Sequence, residues 1–198
     1  MPASYPADMS EDLFAALAGP AEEVAPLLLG AVIRDESVAI RIVEVEAYSG
    51  QTDPASHAYI GPRERNAAMF GPPGHAYVYL SYGVHWCLNV VCHPQTVGGG
   101  ILLRAGEVIT GQQTARRRRG GHKDLARGPG RLGQSLAVSA QDDGTDLRTG
   151  RLRLLPAPER VAVSRGPRVG VSRAADWDWR FWIEGDPYVS QYRRSSRA

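Results

Sequence analysis

Glu46 stands near the end of an alternating apolar run and is followed at once by Ala47-Tyr48 and a Gly- and Pro-containing stretch over residues 50–62. A carboxylate at a strand end faces the loops that build clefts, where it can take a proton from water or steady a developing positive charge. Taken alone, such a glutamate is equally an ordinary carboxylate on a solvated strand. Glu44 lies two residues earlier on the same face. Paired carboxylates suit glycoside chemistry, but positions i and i+2 of a strand are about 7 Å apart and side by side, not across a bond. The two need not share a task.

Aromatic residues gather nearby in the pattern. Tyr77, Tyr79 and Ser81 share one strand face, Tyr82 falls at a hairpin tip, and Tyr48 and His57 flank the loop after Glu46. Half-exposed rings on strands and loops stack planar bases or wedge into base steps, although buried rings also simply fill cores. A tip tyrosine has little core to reach, so Tyr82 is the more informative residue. Other chemistries find few residues. Cys87 and Cys92 sit five apart in one strand, with His93 beside them, a spacing that suits neither a disulfide framework nor a zinc site. No metal and no cofactor is expected. Imine chemistry needs an amine, and the chain offers Lys123, its only lysine, in a Gly-rich segment, and the Pro2 amine after removal of Met1.

The elements that position these residues follow from periodicity. Val38, Ile40 and Ile42 alternate with Ala39, Arg41 and Val43, and Asp35-Glu36-Ser37 turns the chain back from a strand that begins at Val32. Ser10, ahead of Glu11, Asp12 and apolar Leu13, Phe14 and Leu17, reads as a capped helix start, and residues 21–29 suit a second short helix. Residues 65–70 predict a short helix, residues 75–81 and 86–92 a strand pair, and residues 100–109 another strand. Thr110 to Arg119 reads as helix until two glycines break it, and Gly128-Pro129 restarts a helix running to Val138. Short strands follow Arg151. The expectation is a single α+β domain over residues 1–198, with a mixed, mainly antiparallel curved sheet, flanking helices and a protruding hairpin, and residues 1–9 as a flexible tail.

Composition sets outer bounds. A chain of 198 residues with 43% hydrophobic content can bury one substantial core. No apolar run nears the roughly 20 residues of a membrane span, and the first residues lack the regions of a signal peptide. A soluble, cytoplasmic protein with no membrane partner is expected. Net charge is only +2, yet all but one of the 23 basic residues are arginine, clustered at residues 116–119 and 127–131 and in Arg193-Arg194-Arg197. Arginine grips phosphate bidentately, which suits a nucleic-acid face; a GC-rich genome would produce the same bias.

Several separated blocks then resemble the alkyladenine (3-methylpurine) DNA glycosylase family. They are Val45-Glu46-Ala47-Tyr48, His57, Arg65-Asn66 with Met69-Phe70, Gly74 to Gly83, Cys87-Leu88-Asn89 and Leu102-Leu103-Arg104-Ala105. Gly128 to Leu132 with Gln134, Arg168 to Val171 and Gly185 to Ser190 continue the series in order. The resemblance covers nearly everything from about residue 15.

The resemblance implies a monofunctional repair enzyme that takes an alkylated or deaminated purine out of duplex DNA and hydrolyses its glycosidic bond. Glu46 matches the water-activating carboxylate and Arg104 the arginine that holds it. Tyr48 and His57 match the residues that sandwich the flipped base, Tyr79 the pocket edge, Asn89 the residue that crowds the purine, and Val169 a further base contact. Tyr82 resembles a minor-groove wedge on a DNA-inserting hairpin, with Val84, Arg65, Gly128 and Arg131 as DNA contacts, Arg131 near a helix start suited to phosphate. Double-stranded DNA carrying a damaged purine is the implied partner, engaged by a monomer. Two departures stand out: Arg63-Glu64 replaces the usual Thr-Pro, and Val84 and His85 differ from residues of some members. A lyase using Pro2, or a minor-groove binding module without catalysis, are the alternatives.

Overall fold

The computed structural model describes residues 13–197; the expected cap at Ser10 and the expected tail over residues 1–9 lie outside them. After a helical turn at residues 13–16 come α1 (Ala21–Val24) and a 3-10 turn (Ala25–Leu28). The strands are β1 (Val32–Arg34), β2 (Ala39–Ser49), β3 (Ala76–Ser81), β4 (His85–Cys92), β5 (Gly99–Thr110), β6 (Arg153–Leu155), β7 (Val163–Gly166) and β8 (Arg180–Ile183). Two further helices, α2 (Gln112–Arg118) and α3 (Pro129–Ser135), lie between β5 and β6.

The β1–β2 turn forms because Asp35 closes it: one carboxylate oxygen accepts from the Ser37 and Val38 amides at 2.7 and 2.6 Å. The β-branched run that follows makes β2 the central strand. Along one edge β2 pairs with β5; along the other it pairs first with β1 and then, over Glu44 to Glu46, with β8. The main order is β3-β4-β5-β2-β1-β6, with β7 beyond β8, and every ladder is antiparallel. Register shifts against β5 fall between Ala39 and Ile40 and again between Ile42 and Val45, the latter where β2 changes neighbours. Such bulges bend and twist a strand, so β2 curves as it reaches Glu46. Leu28, Ile33, Ile40, Leu88, Ile101 and Leu103 are fully buried in one core between this sheet and the helices.

Two elements are shorter than expected. Thr110 completes β5 rather than opening α2, because Gly111 turns the chain at φ 77°. Helix α3 ends at Ser135 instead of Val138: Ala137 adopts φ 49°, and the Val138 amide folds back onto the Gly133 carbonyl at 2.9 Å.

Helix α3 seats on β4 through two glycines. A Cβ at Gly130 would lie 2.7 Å from the His85 ring, and one at Gly133 would collide with the Trp86 carbonyl. Both contacts fall at the start of β4, next to the turn of the β3–β4 hairpin.

Candidate active site

Glu46 is fully buried, yet it lies directly behind a cleft. Its Oε2 accepts from the Tyr48 hydroxyl at 2.8 Å and from Arg104 at 3.3 Å; its Oε1 accepts from the Val169 amide at 2.7 Å. Tyr48, Arg104 and Val169 all line that cleft. Burial, and next the charge of Glu46, push the Tyr48 phenol well above its ordinary value, so it stays a donor.

Glu44 is also fully buried, and Arg104 joins the two acids: its Nε donates to Glu44 at 3.1 Å. Arg180 of β8 donates to the same carboxylate at 2.7 Å, and Ser190 adds its amide at 2.7 Å and its hydroxyl at 3.0 Å. Burial alone would raise the Glu44 carboxyl, but Arg104, Arg180 and Ser190 outweigh it and hold the group below its ordinary value. Burial likewise opposes the Arg104 charge, and Glu46 and Glu44 more than restore it. The side-by-side pair read from the sequence is therefore one network.

A second buried pair underlies Tyr48. Arg168, with no exposed side-chain surface, meets Asp53 at 2.6 and 2.9 Å and donates to the Ala47 carbonyl at 2.9 Å. Its guanidinium lies 4.7 Å from the Tyr48 ring centroid and 5.3 Å from that of Trp179.

The cleft itself measures about 1040 Å³ and is lined by Tyr48, His57, Met69, Tyr77, Tyr79 and Asn89 among others. His57 packs edge-on against Tyr79 at 4.6 Å and shares a 2.8 Å hydrogen bond with the Tyr77 hydroxyl. Desolvation in the cleft, then the charge of Arg65, press the imidazole below its ordinary value, which favours a neutral ring near pH 7. Tyr77 itself is buried and stacks on Tyr79. Asn89 is fixed by a 3.0 Å bond from its amide to the Tyr77 carbonyl. Asn66 carries the preceding loop: its amide donates to the His57 and Gly61 carbonyls, and its oxygen accepts from the Arg63 amide at 2.6 Å. The Arg63-Glu64 departure thus leaves this clasp intact.

Beyond the cleft, Tyr82 is 97% exposed at the hairpin tip, beside Val84, which is also exposed. Tyr82 and Gly83 both have positive φ, 49° and 71°, and the Val84 amide bonds the Ser81 carbonyl at 3.0 Å. This primed turn matches the twist of the flanking strands, and it obliges a bulky ring to stand in the left-handed region. Gly128 immediately precedes α3 at φ 141°. The exposed Arg131 pairs with Asp124 and donates to the Arg127 carbonyl at 3.0 Å. Arg65 is exposed on the cleft rim.

The sequence reading missed the roles of Asp53, Arg168, Arg180 and Ser190. Arg168 and Ser190 stood inside recognised blocks, but their partners lie 115 and 146 positions away. The Cys87, Cys92 and His93 group is dispersed: both thiols are buried, and His93 bonds the Ser49 hydroxyl at 2.7 Å and the Ala21 amide at 3.1 Å. Among the described residues no three His, Cys, Asp or Glu side chains gather as metal ligands.

The sequence model of the family described as Methylpurine-DNA glycosylase (MPG) matches residues 15–187. A protein of Frankia casuarinae is 51% identical over 193 residues, covering 90% of this chain and 91% of its own. One from Cutibacterium acnes is 52% identical over 184 residues (88% and 96%), and one from Corynebacterium efficiens 49% over 176 residues (88% and 93%). All three are provisionally named 3-methyladenine DNA glycosylase. By the match of this family over residues 15–187 and by relatives about half identical over most of their length, the chain belongs to the methylpurine-DNA glycosylase family and is a DNA glycosylase.

Proposed function

We propose that this enzyme acts as a monomer on duplex DNA, flips 3-methyladenine, 7-methylguanine and related damaged purines such as hypoxanthine or ethenoadenine into the cleft, and hydrolyses the N-glycosidic bond with water activated by Glu46. The observation that carries the reading is the arrangement of donors on Glu46. A carboxylate has roughly four acceptor positions, and the Tyr48, Arg104 and Val169 donors occupy three, leaving about one for a water O–H. A glycosidic bond breaks through an oxocarbenium-like transition state, so an anion at that place both takes the water's proton and opposes the sugar's positive charge.

The aromatic walls suit the leaving group. An alkylated purine is cationic, and rings such as Tyr48 attract a cation at their face. A neutral His57 adds no repulsion. Asn89, held by Tyr77, crowds the purine edge and disfavours exocyclic groups. Unstacking a base costs a few kcal/mol; Tyr82 in the vacated space and arginines on phosphate offset it. Arg65 is a candidate for such a contact, and Arg131 becomes one on release from Asp124.

The test is a panel of duplexes, each bearing one lesion, scored separately for free base and for strand breaks. Release of free purine with an intact, alkali-labile strand supports the reading. Absence of base release from every lesion overturns it in favour of a binding module.

A further inference from the structure

Arg104 meets the two carboxylates unequally, through Nε at 3.1 Å from Glu44 and through NH1 at 3.3 Å from Glu46. A guanidinium otherwise free beside a carboxylate closes into a bidentate fork, which is stronger and shorter. Here one edge of the fork is turned to Glu44. That acid is in turn fixed by Arg180 at 2.7 Å and by both donors of Ser190. The Ser190 segment also reaches the other acid's support, because the Arg193 carbonyl accepts from the Gly170 amide at 3.0 Å, next to the Val169 amide that donates to Glu46. Glu44, Arg104, Glu46 and the Val169–Gly170 and Ser190–Arg193 segments thus form a closed circuit.

Resting on the general-base role of Glu46, we infer that Glu44 is a positioning residue that withholds Arg104 from Glu46, keeping one Glu46 acceptor open to water. The other groups around Glu46 do not supply this control. Tyr48 on its own strand is a neutral donor, and Tyr79 from β3 is a neutral phenol whose burial keeps it protonated. Arg180 from β8 is spent on Glu44, and Arg168 is spent on Asp53. Arg104 is the single cation on Glu46 among the described residues, so its placement sets how much positive charge that carboxylate feels.

The experiment is single-turnover excision of a lesion from a duplex at saturating enzyme, as a function of pH, for the parent, Glu44→Gln, Ser190→Ala and Glu46→Gln. In Glu44→Gln, Arg104 closes on Glu46; the excision rate at neutral pH falls about tenfold and the acid limb moves down by about one pH unit, the shift an adjacent guanidinium imposes. Affinity for the lesion duplex stays within about twofold. Ser190→Ala keeps the amide and loses one donor to Glu44, which draws Arg104 toward Glu44, so its acid limb moves upward by a smaller amount. Ser190 is only half-buried, so this variant reads the inference even where Glu44→Gln does not fold. Unchanged acid limbs in the folded variants, or both moving the same way, overturn the inference. Retained excision by Glu46→Gln overturns instead the general-base reading beneath it.

Discussion

The Arg168 guanidinium lies over the Tyr48 ring, 4.7 Å from its centroid, and Tyr48 lines the cleft. Arg168 is bound bidentately by Asp53 and precedes the residue whose amide reaches Glu46. The wall of the cleft and the Glu46 carboxylate are therefore fixed from one buried ion pair.

Breaking that pair exposes its cost. Arg168→Met leaves the Asp53 carboxylate buried and uncompensated, and removal of one partner of a buried pair destabilises by about 3–5 kcal/mol. Urea unfolding measures it; a loss under about 1 kcal/mol shows that Asp53 finds another partner.

Glu46→Gln keeps the shape of the side chain and removes its proton acceptor. Excision falls by about 10² to 10⁴, while affinity for a lesion duplex is retained. Rates within about tenfold of the parent move the base elsewhere.

Tyr82→Ala removes a ring that packs on nothing, since it is 97% exposed, so the melting temperature holds. Excision drops most for well-paired lesions and least for mismatched ones, which need less help in leaving the stack. Equal losses on both assign Tyr82 no part in flipping.

Glu44 makes folding pH-dependent. Its folded pKa lies below the ordinary 4.5, so the unfolded chain binds its proton first as pH falls. The stability it contributes is whole above about 4.5 and lost as pH drops through the folded value. Melting temperatures of the parent and Glu44→Gln should diverge at neutral pH and converge in acid; a constant difference refutes the linkage.

Borohydride added during turnover should trap no protein–DNA adduct. Lys123, the one lysine, is exposed and does not line the cleft, so nothing desolvates or aims its amine. An adduct that disappears when Pro2 is blocked establishes lyase chemistry.

The strand that carries Glu46 was legible because local rules agree there: a period of two, β-branched residues and an Asx turn at Asp35. The hairpin tip was legible for the same reason, with Tyr82-Gly83 between two strand patterns. The end of α3 was not, because Ala137 occupies a left-handed position where glycine is the usual signal. The partner of each buried arginine was also out of reach. Asp53 meets Arg168 and Ser190 meets Glu44 only after the sheet closes, and no local pattern encodes a contact across more than a hundred positions. Arg104 likewise falls at a register shift, the extra residue of β5 between the Glu44–Ala105 and Val45–Leu103 pairs, which leaves no mark in a run of alternating residues.

Under the role proposed for Tyr82, the glycine seat beside the hairpin turn bears on how insertion is shared between protein and DNA. With Gly130 against the His85 ring and Gly133 against the Trp86 backbone, the helix puts no side chain of its own at either contact and sits close against the strand. The hairpin is a bracket rather than a hinge. When a bracketed tip enters a duplex, the compliant body is the DNA, and the energy of entry follows how readily each base step kinks. Recognition of a damaged site by this protein would then begin as a measurement of local DNA stiffness, before any base has reached the cleft.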